Sequence, residues 1–209
     1  MIVPALLTSD PAELKRMSET CARFTDYVQV DIMDGHFVPS TSVTEQQLSA
    51  MVLPTAHETH LMVRDPLKWI DACIRAGAKK IIFHAEIQGD LASVAGEIAR
   101  RGAEPGIALN PDTSADRIVC CREAITTVLC MAVHPGFYGA PFIPEVLNKI
   151  RAAKKMFPYL QIGIDGGVKK QNIRAVAASG ADFICVGSAI LKQDDPAAAY
   201  QSLSALINE

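Results

Sequence analysis

The chain has 209 residues, of which 49% are hydrophobic and 21% are charged, and its formal net charge at pH 7 is −3. This composition is typical of a globular protein, and the slightly acidic balance provides no basic surface for nucleic acid. No apolar run reaches the ~18 residues that would span a bilayer, and the N-terminus lacks the basic region of a signal peptide. We therefore expect a cytoplasmic protein with neither a nucleic-acid partner nor a membrane partner.

Short β-rich runs alternate with helical segments eight times along the chain. The predicted strands are Ile2–Leu7, Tyr27–Met33, Glu58–Val63, Lys80–His84, Pro105–Asn110, Thr127–Val133, Gln161–Asp165 and Phe183–Val186. The predicted helices include Pro11–Arg23, Pro66–Ala76, Leu91–Arg101, Ile143–Met156 and Lys170–Ser179. Alternating units of this kind predict a parallel sheet covered by helices, and eight of them predict a closed (β/α)₈ TIM barrel. Because no linker or low-complexity tract interrupts the pattern, we expect one domain over residues 1–209.

The cysteines predict reduced thiols, because no two are spaced as a Cys-x-x-Cys pair and a chain of this size does not need a disulfide framework. They are Cys21, Cys73, Cys120, Cys121, Cys130 and Cys185. Most are expected to be small core residues.

Three polar side chains stand near the ends of predicted strands. Asp31 and Asp165 each end an apolar run close to glycine, and His60 lies on the third predicted strand. Alternation along each strand places the three on the face that points into the barrel, near the end where barrel enzymes carry their active sites. A buried acid is costly unless it is paired, hydrogen-bonded or metal-bound. The three residues are therefore predicted to share one site.

Two chemistries are open for this site. Two carboxylates and an imidazole could bind a divalent metal, with the imidazole favouring zinc, iron, cobalt or manganese. The same carboxylates could act as general acid and base, and a metal beside a sugar carbonyl would stabilise an enediolate. The structural alternative is that the aspartates bond to backbone amides and that His60 is a satisfied core histidine.

A second site is predicted after the last two strands. Gly166 and Gly167 follow the seventh strand, and Gly187 and Ser188 follow the eighth. Barrels commonly bind phosphate with the backbone amides of these two loops. The segment from His134 to Phe142 follows the sixth strand, and its glycines and prolines fit either a loop that folds over a ligand or a rigid connector.

The chain resembles the ribulose-phosphate 3-epimerase family along nearly its whole length. The matching segments are 30–39 (VDIMDGHFVP), 59–63 (THLMV), 108–111 (ALNP), 135–137 (PGF), 142–147 (FIPEVL), 165–168 (DGGV) and 186–190 (VGSAI). The resemblance implies a barrel of the ribulose-phosphate-binding type and an isomerase of carbohydrate metabolism. Its expected reaction is ketose-phosphate 3-epimerisation in the pentose phosphate series, with D-ribulose 5-phosphate and D-xylulose 5-phosphate as the simplest pair.

The resemblance also implies residue roles. Asp31 and Asp165 would be the acid–base pair and, with His60, metal ligands, while His60 would also contact substrate. Methionines at Met33, Met62 and Met131 would line the pocket. The phosphate would be held by Gly166, Gly167, Gly187 and Ser188, and the loop that contains Gly136 and Gly139 would close on substrate. The family further implies a homo-oligomer.

Four residues at three places in the chain depart from the family pattern. Gln29 stands where the family usually has a fourth metal ligand, a histidine, so its role as a ligand is open and a zinc, iron, manganese or cobalt ion is expected to bind weakly or differently. Ala5 replaces a serine that usually contacts substrate, although Thr8 could supply a hydroxyl. Tyr138 and Ala140 alter the loop after the sixth strand. His36, His84 and His134 are candidate substitute ligands, for which local hydrogen bonding is the expected role.

Other functions remain open at this stage. The altered positions are compatible with a different sugar phosphate, such as a ketohexose 6-phosphate or a tetrulose phosphate. A phosphate-binding barrel lyase or decarboxylase would generally need a lysine near the acids, and none stands in the Asp31 or His60 motif. A non-catalytic sugar-phosphate binder is a further alternative, against which the retained acids argue.

Overall fold

Eight parallel strands close into a barrel in the computed structural model, which describes residues 1–136 and 140–208. The strands are β1 (Ile2–Leu6), β2 (Tyr27–Met33), β3 (Ala56–Met62), β4 (Lys80–His84), β5 (Glu104–Leu109), β6 (Thr127–Met131), β7 (Gln161–Asp165) and β8 (Phe183–Val186). Their spatial order follows the chain, and β8 pairs with β1 to close the sheet. The predicted (β/α)₈ barrel is confirmed. Four of the strands have the predicted bounds, and the ends of the other four differ by at most two residues.

Helices connect the strands around the outside. They are α1 (Pro11–Cys21), α2 (Glu45–Ser49), α3 (Ile70–Ala76), α4 (Leu91–Arg100), α5 (Val146–Met156), α6 (Ile173–Ala177), α7 (Ser188–Leu191) and α8 (Pro196–Asn208). Two 3₁₀ segments, Pro66–Lys68 and Ala115–Ala124, complete the connections. The segment predicted as one helix over 66–76 is therefore split into a 3₁₀ turn and α3. None of the helices in the described residues is long and apolar enough to cross a membrane.

Local sequence sets several helix ends. The carboxylate of Asp10 accepts the Ala12 N–H at the start of α1, and Asp90 does the same for Ala92 and Ser93 at the start of α4. Thr44 and Gln47 form a capping box at α2. These side chains bind backbone N–H groups that have no partner within the helix. They fix where each helix starts and hence how long the loops at the barrel mouth are.

The barrel has an outer and an inner core. The outer core lies between strands and helices and contains the alternate strand residues, such as Val28, Val30 and Ile32 of β2. The inner core fills the lumen and includes Ile82, Leu129 and Phe183. Gly163 leaves room for the Phe183 ring, since a Cβ at this position would lie 2.2 Å from it. The lumen below the mouth is thus packed with side chains.

The strand register brings the predicted site residues to the same end of the barrel. Asp31 of β2 pairs with His60 of β3, and Met33 pairs with Met62. On the far wall Asp165 of β7 lies between Met131 of β6 and Cys185 of β8. The predicted inward orientation of Asp31, His60 and Asp165 is confirmed. The six cysteines are all free thiols, and Cys120 alone among them is exposed.

Candidate active site

The carboxylates of Asp31 and Asp165 and the imidazole of His60 meet at the mouth of the barrel. One ligand atom from each lies within 4.8 Å of the other two. His60 Nδ1 is 3.0 Å from Asp31 Oδ1 and 3.7 Å from Asp165 Oδ2, so the same ring nitrogen faces both acids. The two acids reach this point from β2 and β7, which β1 and β8 separate around the barrel. The cluster therefore joins two walls of the lumen.

The electrostatics of this cluster favour positive charge near the acids. Burial and the neighbouring Asp31 charge raise the pKa of Asp165 to about 7. Burial would lower the pKa of His60, but its hydrogen bond to Asp31 and the charges of both aspartates outweigh that effect and raise it. Two carboxylates brought this close disfavour double ionisation unless a cation or several donors stand between them.

Gln29 provides such donors. Its Nε2 atom lies 2.8 Å from Asp31 Oδ1 and 2.8 Å from Asp165 Oδ2. Its Oε1 atom accepts a hydrogen bond from Cys185 Sγ at 3.1 Å. The Gln29 side chain is fully buried. The sequence showed that position 29 departs from the family pattern. It did not show the contacts of Gln29 with Asp165 on β7 and Cys185 on β8, because these form only when the barrel closes.

His84 and Glu86 support His60 from the opposite side. His60 Nε2 lies 2.9 Å from His84 Nε2, and His84 Nδ1 lies 3.1 Å from Glu86 Oε2. Burial lowers the pKa of His84 to about 4, so this ring is neutral at physiological pH. Local hydrogen bonding was expected for His84. Its contact with His60 was missed, and the His-x-Glu spacing at the end of β4 is the sequence signal that could have indicated it.

A cavity lies above the cluster and, counted up to its solvent-filled mouth, contains about 750 Å³ of empty space. Asp31 and Asp165 are in its lining, and His60 lies fully buried behind Asp31. The predicted pocket residues that line the cavity are Met33, Met62, Met131, Gly136, Gly166, Gly167, Gly187 and Ser188. Gly139 and Tyr138 lie outside the described residues.

The loops after β7 and β8 form one side of the cavity, where the phosphate site is expected. Gly167 has φ +66°, and a Cβ there would lie 3.0 Å from the Phe142 backbone, so only glycine fits without strain. Lys169 follows this loop and also lines the cavity, which adds a positive charge on the same side. A pocket wall that combines small residues with a cation in this way can receive a phosphate group.

Two further departures from the family pattern, Ala5 and Ala140, lie in the cavity lining. Ala5 lines the cavity beside the acids, so the missing hydroxyl faces the space where a ligand would lie. Thr8 is not among the residues that line the cavity, and its hydroxyl donates to Glu13. Ala140 lines the cavity near its mouth. His36 and His134 are both exposed, and His134 lies 3.7 Å from Asp112.

The donor set fits a divalent metal ion. Two carboxylates and one imidazole nitrogen converge, the protein supplies His84 and Glu86 behind the imidazole, and the open side of the cluster faces the cavity. Metal-binding histidines almost always donate their second ring N–H to an acceptor, and His84 Nε2, whose ring is held by Glu86, can accept it here. Asp31, His60 and Asp165 thus form a candidate metal site of three residues. The unusual feature of this site is the Gln29 amide, which donates hydrogen bonds to both of its carboxylates.

Comparison with known proteins assigns the chain to a family. The family model described as ribulose-phosphate 3 epimerase matches residues 1–191. A ribulose-phosphate 3-epimerase of Mycobacterium tuberculosis is 37% identical over 211 residues, which cover 97% of this chain and 91% of the relative. The cytoplasmic isoform of the enzyme from Oryza sativa subsp. japonica is 34% identical over 209 residues, with 97% and 92% covered. The chain belongs to the ribulose-phosphate 3-epimerase family. It is an isomerase that epimerises a ketose phosphate.

Solved structures with low sequence identity share the fold. A 3-hexulose-6-phosphate synthase from Salmonella typhimurium superposes with a TM-score of 0.74 at 16% identity, over 99% of this chain and 98% of that one. A structure of KGPDC from Streptococcus mutans gives a TM-score of 0.75 at 13% identity, over 99% and 96% of the two chains. At these identities the likeness concerns the barrel alone.

Proposed function

We propose that this epimerase interconverts D-ribulose 5-phosphate and D-xylulose 5-phosphate by proton transfer at C3 between substrate and two aspartates. The observation that carries the proposal is the placement of Asp31 and Asp165. Both line the same cavity, they come from separate walls of the barrel, and they are close enough to share hydrogen bonds with one amide. This arrangement suits two acids that act on opposite faces of one carbon.

The proton transfer needs the two acids in complementary states. One carboxylate removes the C3 proton and leaves an enediolate, and the other, in its acid form, delivers a proton to the opposite face. The reverse reaction exchanges the two roles. A divalent ion such as zinc, iron, manganese or cobalt, held by Asp31, His60 and Asp165, would stabilise the negative charge of the enediolate as a Lewis acid. Before the ion binds, the 3.0 Å contact between His60 and Asp31 would help to fix the position of that carboxylate.

The remaining cavity residues bind and shield the sugar phosphate. The thioethers of Met33, Met62 and Met131 form an apolar wall above the acids, which excludes water from a reactive enediolate. Gly136 would contact the substrate at the mouth of the cavity. The phosphate would lie against the backbone of Gly166, Gly167, Gly187 and Ser188 at the other end of the cavity. This orientation would place the sugar carbons over Asp31 and Asp165.

A different sugar phosphate is the second candidate, and Ala5 is the observation that favours it. The methyl group of Ala5 lines the cavity, so a pentulose hydroxyl that a serine would bind has one partner fewer. A lyase is not favoured, because Lys80 donates to Gln161 and pairs with Glu58 below the acids, and Lys169 lies on the phosphate side of the cavity.

Substrate profiling would test this proposal. Conversion of ribulose 5-phosphate would be compared with that of a ketohexose 6-phosphate and a tetrulose phosphate under equal metal supply, with xylulose 5-phosphate measured as the product. We expect the highest kcat/KM for the pentulose. A higher kcat/KM for one of the other two sugars would reassign the substrate, and Ala5→Ser would then be expected to shift preference towards the pentulose.

We also infer a cytoplasmic location. The free thiols fit a reducing compartment, and the rice relative is named as a cytoplasmic isoform. Fractionation of cells that express the tagged full chain would test the inference, and recovery in a membrane or secreted fraction would contradict it.

A further inference from the structure

The orientation of the Gln29 amide is determined by its three partners. A carboxylate oxygen only accepts hydrogen bonds unless it is protonated, so the atom of Gln29 that lies 2.8 Å from both aspartates is its NH₂ group. The two hydrogens of one amide nitrogen serve Asp31 and Asp165 at once. These bonds are charge-assisted, which makes them stronger than those between neutral groups.

Cys185 holds the other end of the amide. Its Sγ atom lies 3.1 Å from Gln29 Oε1, and a thiol can donate its hydrogen to an amide oxygen. Cys185 is buried and comes from β8, so it is fixed by the barrel wall. The oxygen of Gln29 is therefore engaged on the side away from the metal cluster.

This orientation is the reverse of the one that a metal ligand needs. Of the two ends of an amide, the oxygen binds a cation, whereas the NH₂ group has no available lone pair. Ligation through Gln29 would require the amide to flip, so that its oxygen and its NH₂ group exchange places. The flip would break both hydrogen bonds to the aspartates and leave the NH₂ group facing the Cys185 thiol. Nε2 lies between the two carboxylates, within hydrogen-bond distance of both.

We propose that Gln29 is a positioning residue that cross-links Asp31 and Asp165, and that a divalent ion binds this site in competition with the Gln29 amide instead of through it. The metal site itself rests on the proposed function, but the competition is a property of binding and does not require turnover. In the absence of metal, the amide keeps the two acids together. In its presence, Asp31, His60 and Asp165 are the protein ligands.

Titration with Mn²⁺ in a calorimeter separates competition from ligation. The variants Gln29→Met and Gln29→Leu both remove the NH₂ group and the oxygen, and a thioether is a poor ligand for a hard cation. Competition predicts that both variants bind Mn²⁺ at least about tenfold more tightly than the unaltered chain, since no charge-assisted hydrogen bonds have to be broken. Ligation predicts weaker binding, which would overturn the proposal. Gln46→Met, on the exposed surface of α2, is the matched control and should leave the affinity unchanged.

Nuclear magnetic resonance of the unaltered chain provides a test that does not depend on the variants folding. With ¹⁵N-labelled protein and diamagnetic Zn²⁺, competition predicts that the signals of the Gln29 NH₂ protons shift without new cross-peaks to the Cys185 β-protons. New cross-peaks between the NH₂ protons and Cys185 on metal addition would show that the amide had turned to ligate, and would overturn the proposal. Neither measurement uses a sugar phosphate. A failure of the epimerase assay is therefore distinguishable from a failure here.

Discussion

His60 and His84 face each other through their Nε2 atoms, which lie 2.9 Å apart. At the outer ends of this pair, His60 Nδ1 meets Asp31 and His84 Nδ1 meets Glu86. A metal ion on His60 Nδ1 would require the proton on His60 Nε2, which His84 Nε2 would then accept while His84 Nδ1–H donates to Glu86. The contacts with His84 and Glu86 therefore keep a proton on His60 Nε2, which leaves His60 Nδ1 able to bind a metal once it has lost the proton that it donates to Asp31.

We predict that His84→Leu and Glu86→Gln each reduce the affinity for Mn²⁺ by about 10- to 100-fold, the usual cost of losing a group that orients a metal-bound histidine. Calorimetric titration measures the change. His134→Gln, at an exposed histidine, is the control and should bind Mn²⁺ as the unaltered chain does. Equal affinity in His84→Leu and the control would show that His84 does not orient the ligand.

Replacement of either acid should abolish turnover. We expect Asp31→Asn and Asp165→Asn to lower kcat by at least about 10³-fold, because an amide cannot exchange the proton at that position. Thermal melting would show whether the fold persists. Asp112→Asn, at a residue whose side chain is 85% exposed, is the control. Activity within tenfold of the control in either acid variant would refute the two-aspartate mechanism.

The close approach of Gly163 and Phe183 predicts a large effect of one added methyl group. In Gly163→Ala the new Cβ would lie 2.2 Å from the ring, so the ring or the strand must move. We expect a loss of about 2–3 kcal/mol in the free energy of unfolding, the upper part of the usual range for overpacking. Denaturant titration would measure it. The double variant Gly163→Ala with Phe183→Leu should lose less than the sum of the single variants, and additive losses would contradict the packing argument.

The buried imidazole of His57, which lies outside the candidate active site, should make the stability of the fold depend on pH. Burial lowers its pKa from 6.5 to about 4, so between these values the unfolded chain binds more protons than the folded one. The stability associated with a neutral His57 is therefore present above pH 6.5 and is lost as the pH falls towards 4, by up to about 3 kcal/mol.

We expect His57→Leu to show a smaller loss of unfolding free energy between pH 7 and pH 4 than the unaltered chain, measured by urea titration. His36→Gln, at an exposed histidine, is the control. The same pH dependence in His57→Leu and in the control would show that His57 does not titrate in this range.

Sequence periodicity was sufficient to predict the barrel and the inward side chains. Alternation along β2 and β3 placed Asp31 and His60 on one face, and the closed register confirms them as neighbours. The glycines after β7 and β8 predicted which side of the cavity would bind the phosphate group. These features are local, since strand alternation and loop composition depend on a few consecutive residues.

The roles that could not be predicted depend on contacts between distant strands. Gln29 meets Asp165 across 136 positions and Cys185 across 156 positions of the sequence. The orientation of its amide follows from both contacts together, so the sequence alone left its role as a ligand open. The same holds for His84, whose spacing from His60 has meaning only once β3 and β4 are paired.

The most direct test of the two-aspartate mechanism is the fate of the C3 hydrogen. Ribulose 5-phosphate would be incubated with the protein in deuterium oxide, with and without added zinc, iron or manganese, and followed by nuclear magnetic resonance. We predict that xylulose 5-phosphate carries solvent deuterium at C3 from the first turnovers, because a different acid delivers the new proton. Product that retains the original hydrogen would contradict the mechanism, and the absence of both exchange and product under every metal condition would contradict the proposed substrate.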